Sequence, residues 1–407
     1  MFLDKLKVLF RKDDGKTRIK TEYASPRNEY YATVAERYGT AQMLLFVLLS
    51  LFLVVALLIN SEWISYENFY YFVYDFGDYI TSADGDIESI VYDTGNFSDF
   101  GIFSGKLAVA GANGLKLYTS SGRTAFEDAD PIAKPVLDIS ESFMLAYDSG
   151  GSEYRIYNLF TVVHSQNTDY PVYGASIADN GAYAIITGDG THTSCVKVYN
   201  RRFDELQSIG RSSYVVGVSI TPSGDRVAVL SYSQSGGSFT THLYMTRSNS
   251  TEPYADIKLE NSFPLYCSYT EKGCLTLVCK DRILTYNTYG DLIGEVMLEP
   301  NETLKEVDVN RFGAAIMLRA DGKNRLVLID SSGKTVYNSN TDLEASSLAL
   351  YGSYAFLLGP DKVTRIDSRN GDQVSLPKEI EEPAVMKVRS ETEVLLCLPS
   401  RVRFLEF

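Results

Sequence analysis

A chain of 407 residues with formal net charge −14, three histidines and five cysteines has room for one large domain plus accessory segments. The acidity excludes recognition of nucleic acid or other polyanions through bulk electrostatics. The odd number of cysteines, with no CxxC pair, excludes a zinc ribbon and a dithiol redox motif.

The chain opens MFLDKLKVLFRK, with Phe2, Leu6, Leu9 and Phe10 on one helical face and Lys5, Arg11 and Lys12 around the other. That pattern fits either a short helix lying on an anionic leaflet or a disordered basic tail. Residues 13–24 read as flexible, and Ser25-Pro26 then supplies an N-cap and a first-turn proline for a helix through EYYATVAERY. Residues 43–59 read MLLFVLLSLFLVVALLI, seventeen residues without a charge and with no polar stripe. The expectation is a transmembrane helix over 41–60, with Met43, Leu51 and Ile59 in the anchor and Trp63 at the headgroup level. A cleaved signal peptide is the alternative, disfavoured by the roughly 40 residues ahead of the run and by NSEWIS, which lacks a small-x-small site.

Residues 1–41 carry nine Lys/Arg against six Asp/Glu, and no Lys or Arg occurs from Asn60 to Gly105. The positive-inside rule therefore places the tail 1–40 in the cytoplasm and the remainder outside. Removing the +3 of residues 1–41 from the total of −14 leaves −17 for the rest, compatible with basic protein partners or cations. Residues 66–79 hold eight aromatics with neither a period of 2 nor of 3.6. The segment 61–85 is read as juxtamembrane, either packing at the headgroups or binding a partner.

From residue 86 a glycine-led turn recurs: Gly105, Gly181, Gly224, Gly273, Gly313 and Gly352, with steps of 43, 49, 40 and 39 residues from Gly181 onward. Each turn precedes a short apolar run (KLAVAGA, AYAIITG, RVAVLSY, CLTLVCK, AAIMLRA, YAFLLGP) and then a second strand-like run. A repeat of that length built from short strands specifies a β-propeller blade. Seven repeats fill 96–376, and AVMKVRS, EVLLCLP and RVRFLEF give a last one of three strands. IESIVYD, residues 87–93, is the strand that closes this last blade and seals the ring. The fold class is thus all-β, an eight-bladed propeller over 86–407; seven blades result if the second repeat, whose turn SES has lost its glycine, is mis-split.

ITPSGDRVAVLS and IADNGAYAIITG resemble the blade core of WD-repeat-like and YVTN-like propellers, and LIDSSGKTVYN and IDSRNGDQVSL resemble the C–D turns of quinoprotein-like repeats. Basic tail, single span, aromatic stretch and divergent propeller together resemble a bacterial domain-of-unknown-function family of single-pass membrane proteins, mostly from Firmicutes. The resemblance implies a fold and a topology, and no activity. The Gly-His and Trp-Asp signatures of WD repeats and the Trp docking motif of quinoprotein blades are absent, so no quinone cofactor is implied.

His164, His192 and His242 fall in three repeats, too dispersed for a metal site or a His-centred triad. The B–C loops gather on one propeller face and supply the candidate partner face: Asp148, Asp189, His192, Gln234, Arg319 and Asp321. Asp189 and His192 in GDGTHT are candidates for a cation or an acidic group, against a plain solvated loop. No catalytic residue, cofactor or metal is assigned. Buried free thiols are expected, with a bridge from Cys267 left open. The functional expectation is a membrane-anchored, extracytoplasmic scaffold or sensor docking a protein or envelope component. The alternative is an envelope enzyme or ligand-binding protein using the axial pocket or the B–C face, with Asp148 and Asp189 as acid and base.

Overall fold

The structure, a computed structural model, describes residues 38, 41–52, 54–55, 89–92, 98–378 and 385–407. Two compact units divide the chain, Met1–Ser65 and Tyr66–Phe407. In the first, residues 41–52 are helical, and Met43 and Leu51 are exposed. No helix among the described residues is long and apolar enough to cross a membrane. Ile59, Trp63, the basic tail apart from Tyr38, and the aromatic segment 61–85 lie outside the described residues.

The second unit is all-β: eight four-stranded antiparallel sheets, each an up-and-down meander A-B-C-D. Seven are consecutive in sequence, over 98–128, 135–167, 174–211, 214–260, 264–297, 303–341 and 347–377. The eighth takes strands A to C from Val385–Val388, Glu393–Cys397 and Arg401–Glu406 and strand D from Ser89–Val91. The closing strand lies within the segment 87–93 marked out in the sequence. The second repeat is a blade in its own right. Its A–B turn dispenses with glycine because the Ser140 hydroxyl both accepts from Phe143 N–H (3.1 Å) and donates to Phe143 C=O (2.9 Å). In other blades the turn glycines Gly105, Gly181, Gly224 and Gly273 hold φ between 74 and 86°, the left-handed region that a side chain disfavours.

Burial grades outward along each blade. Strands B such as Tyr183–Thr187 and Leu275–Cys279 are buried at every residue, because a neighbouring sheet covers each face. Strands D such as Leu292–Met297 and Gln373–Pro377 are largely exposed. Eight hydrophobic clusters form the core, and each one joins a different pair of neighbouring blades. The five cysteines are free thiols, all but Cys267 buried, so no bridge from Cys267 forms. Burial alone accounts for them, as for small hydrophobes.

Strands A of successive blades pack against one another, strand Val385–Val388 against Ser98–Phe103 completing the circle. These strands form the inner edges of the sheets, and their outward N–H groups lack sheet partners. Side chains of the preceding blade supply acceptors. Asp99 takes Leu137 N–H (2.9 Å), Asp138 takes Ile177 (2.6 Å), Ser176 takes Ile220 (3.2 Å), Ser219 takes Tyr269 (2.9 Å) and Asp308 takes Leu350 (2.8 Å).

Closure depends on Ser89–Val91 and the residue after it. Ser89, Ile90 and Val91 pair with Arg403, Val402 and Arg401. The Tyr92 hydroxyl sits between the carbonyl oxygens of Leu398 (2.5 Å) and Arg401 (2.9 Å) and donates to them. Ile90 and Tyr92 enter the cluster that joins the last blade to the first. Tyr92→Phe strips these carbonyls of their donor while keeping the ring, and is expected to cost about 1–3 kcal/mol. The check is urea unfolding, in which the midpoint falls and the slope stays unchanged.

Candidate functional site

Antiparallel alternation puts the A–B and C–D turns at one end of the ring and the B–C turns and blade-to-blade connections at the other. All six sequence candidates lie at the B–C end, on blades two, three, four and six. Only Asp189 and His192 are brought into contact. Asp189 accepts from His192 N–H (2.6 Å), Thr191 N–H (2.8 Å) and the Thr191 hydroxyl (3.0 Å), and its second oxygen meets His192 Nδ1 at 2.5 Å. These bonds hold its carboxyl well below the usual range. The carboxylate orders its own loop.

Asp148 likewise accepts Lys134 N–H (2.7 Å) across the connection into its blade. Gln234 pairs with Phe239 near the tip of the long hairpin Arg226–Ser235/Ser238–Arg247. Arg319 ends a ladder opposite Thr303 and Asn324, and Asp321 occupies the following turn with φ 48°. The histidines remain apart: His164 stacks on Phe203 (4.3 Å) and His242 lies 3.3 Å from the Ser233 hydroxyl. Among the described residues no cluster of His, Cys, Asp or Glu is arranged to hold a metal ion.

Two features stand out beyond the six candidates; the sequence reading named an axial pocket without any of its lining residues, and missed the first feature entirely. The first is an arc of tyrosines at the B–C end. Tyr173, Tyr214 and Tyr266 stand at the starts of strands A of blades three, four and five, and are 61, 59 and 49% exposed. Because strand A is innermost, the arc partly encircles the axis. It continues onto the long hairpin through Tyr232, which stacks on Tyr214 (5.6 Å) and touches Phe263 (5.0 Å).

The second is an axial cavity of about 650 Å³ at the A–B end, which none of the six candidates lines. One residue from each strand A faces it at the same level. Asp138 and Asp308 belong to blades two and six, opposite each other in a ring of eight. Ser176, Ser219 and Ser268 fill the arc between them on one side. On the other side are Ala349, Lys387 and Gly101, where a Cβ would fall 2.1 Å from Ile139 Cδ1. Lys387, on blade eight, is midway between the two aspartates. Asp138, bonded by Ile177 N–H and the Ser176 hydroxyl, sits deep enough that burial raises its pKa to about 6. Burial also raises Asp308, against the pull of Leu350 N–H and Lys387.

Arg311 crosses the mouth. It projects from the A–B turn of blade six and reaches Asp179 on blade three (3.3 Å) and Glu141 on blade two (3.4 Å). Asp179 in turn accepts Glu141 N–H (2.7 Å), so the two acids are fixed together as one receiving group.

The raised pKa of Asp138 carries a pH signature. The folded state holds this proton more tightly than the unfolded chain, where Asp titrates near 3.8, so stability drops as pH rises from about 4 to about 6 and is level above. Asp138→Asn keeps an acceptor for Ile177 N–H and has no charge to bury. Its melting temperature is expected to gain on the parent between pH 4 and pH 7.5, by the equivalent of about 1–2 kcal/mol. A difference independent of pH in thermal melts would contradict the assignment.

Comparison with known proteins adds to this geometry. No curated protein sequence matches the chain. Among solved structures, BamB from Moraxella catarrhalis superposes with TM-score 0.50 at 11% identity, over 79% of this chain and 99% of that one. Kuenenia stuttgartiensis hydrazine synthase gives TM-score 0.46 at 12% identity, over 73% of this chain and 100% of that one. The likeness to BamB is one of fold alone. The model of a family of unknown function, DUF5711, matches residues 84–407, the whole propeller with its closing strand. The chain belongs to that family.

Proposed function

We propose that this chain is a single-pass membrane protein that presents its propeller outside the cytoplasm as a rigid docking module for a protein or envelope component. The exposed tyrosine arc carries the docking half of this reading. Tyrosine offers a large amphipathic surface at low entropic cost, and three exposed tyrosines on consecutive blades form an arc of the kind that anchors protein interfaces. The ring is stiffened by a hydrophobic cluster at every blade junction, so the patch is held in one geometry before a partner arrives. The chain joins the ring at Ser89, whose strand begins at the A–B end. The tyrosines lie at the other, B–C end of the ring.

The anchor rests on the uncharged run 43–59, the basic residues ahead of it and the acidic stretch behind it. Met43, Leu51, Ile59 and Trp63 are its marker positions. A second reading, ligand binding at the axis, is favoured by the cavity. The acid–base pair of an enzyme has no support from Asp148 and Asp189, which serve their own loops away from the axis.

Both halves are open to experiment. In intact cells a membrane-impermeant maleimide is expected to label Asp321→Cys, and to label Lys16→Cys only after lysis; the reverse pattern would invert the topology. In-cell cross-linking of the full chain is expected to capture a partner that the triple variant Tyr173→Ala, Tyr214→Ala, Tyr266→Ala loses, with its melting temperature unchanged. Capture of the same partner by a chain ending near residue 82 would move the function off the propeller.

A further inference from the structure

The axial cavity is a large concave surface, and its volume is in the range of small-molecule sites. We infer that it binds a short peptide with free ends, whose ammonium meets Asp308 and whose carboxylate meets Lys387. The site is separate from the tyrosine arc, which occupies the opposite end of the ring.

Charge placement carries this assignment. Asp308 Oδ2 is occupied by Leu350 N–H and by the Asn310 side-chain amide (2.7 Å). Its Oδ1 takes no hydrogen bond from the described residues, and Asp308 lines the cavity. Lys387, at the same level two blades away, forms no hydrogen bond or ion pair with the described residues. Lys387 pulls on Asp308 across the cavity without meeting it as an ion pair, so each charge keeps part of its desolvation cost until a ligand pairs with it directly. A single ion satisfies only one of them. A molecule carrying both charges satisfies both, and an extended tripeptide of about 10 Å separates its ends by a distance suited to a cavity of this size.

The walls agree with such a ligand. Between Asp138 and Asp308 the serines of three successive blades line the site, and the Ser219 oxygen accepts Tyr269 N–H, leaving its proton to donate. Hydroxyls on this arc suit the amide groups of a peptide backbone. On the Lys387 side Ala349 lines the site without adding charge, and the space beside Gly101 is taken by Ile139 Cδ1.

Arg311 controls the approach from the A–B end. Its ion pairs with Asp179 and Glu141 run across the axis, and the Arg311 and Glu141 side chains are about a third and two thirds exposed. Exposed pairs of this kind are weak and salt-sensitive. The bridge can open for a charged ligand without disturbing the blades.

Calorimetric titration of the full chain in detergent micelles tests this, with trialanine, N-acetyl-trialanine and trialanine amide as probes. Free trialanine is expected to bind, and blocking either end to weaken it about tenfold or more. Asp308→Asn still accepts Leu350 N–H and should abolish the distinction between the free and acetylated probes. Lys387→Met should abolish the distinction between acid and amide, and Lys387→Arg should restore it. Arg311→Ala should speed association and flatten its salt dependence. No heat with trialanine, or equal affinity for all three probes, would overturn the assignment. An association rate unaffected by Arg311→Ala would remove the bridge from it.

Discussion

The inner edge of each sheet sets the terms for this fold. A four-stranded blade is not closed on itself, so strand A exposes a row of backbone donors towards the axis. Eight such edges around a channel would leave those donors to water or to one another. At five junctions a side chain of the preceding blade accepts one of them, and the acceptor is an Asp or a Ser one repeat earlier in sequence. That single type of bond fixes the angle between blades, lines the cavity with polar groups and leaves two carboxylates too deep to be comfortable as anions.

The hydrophobic energy is distributed to match. Eight clusters at eight junctions replace one central core, and each strand B is buried by a neighbour on either side. Stability is then a sum of nearest-neighbour terms, as in other repeat proteins, but arranged in a circle with no terminal repeat. A loss at one junction is felt by both blades that share it. The polar periphery, strands D and the turns, contributes little to this sum and is free to vary.

The architecture was legible because its signals are local and repeated. Glycine at a left-handed turn, followed by an unbroken apolar run, identifies an A–B hairpin from a dozen residues, and residues 87–93 stood out as a strand without a blade. The axial site was not legible in the same way. Asp138, Ser176, Ser219, Ser268 and Asp308 are single residues about 40 apart, with Lys387 two repeats further on, each near the end of a strand A. Their recurrence as polar residues at that position is the signal that would have found them. The B–C loop residues were conspicuous because loops carry charge, yet Asp148 and Asp189 use theirs to hold their own turns in shape. The tyrosine arc was hidden for another reason: 29 tyrosines are spread through the chain, and only burial separates Tyr173, Tyr214 and Tyr266 from the rest.

The last blade is assembled from the two ends of the domain, three strands from 385–406 and one from Ser89–Val91. Such pairing has a sequence separation of more than 300 residues. The first strand to leave the ribosome must therefore wait, unpaired, until the final one is released. Any chain cut short before Arg401 leaves an open ring with an apolar edge at Ile90 and at Phe100 and Leu107 of the first blade. Closure of the circle is in effect a length check on translation. A complete chain hides its seam, and an incomplete one displays it to the proteases and chaperones that remove unfinished products.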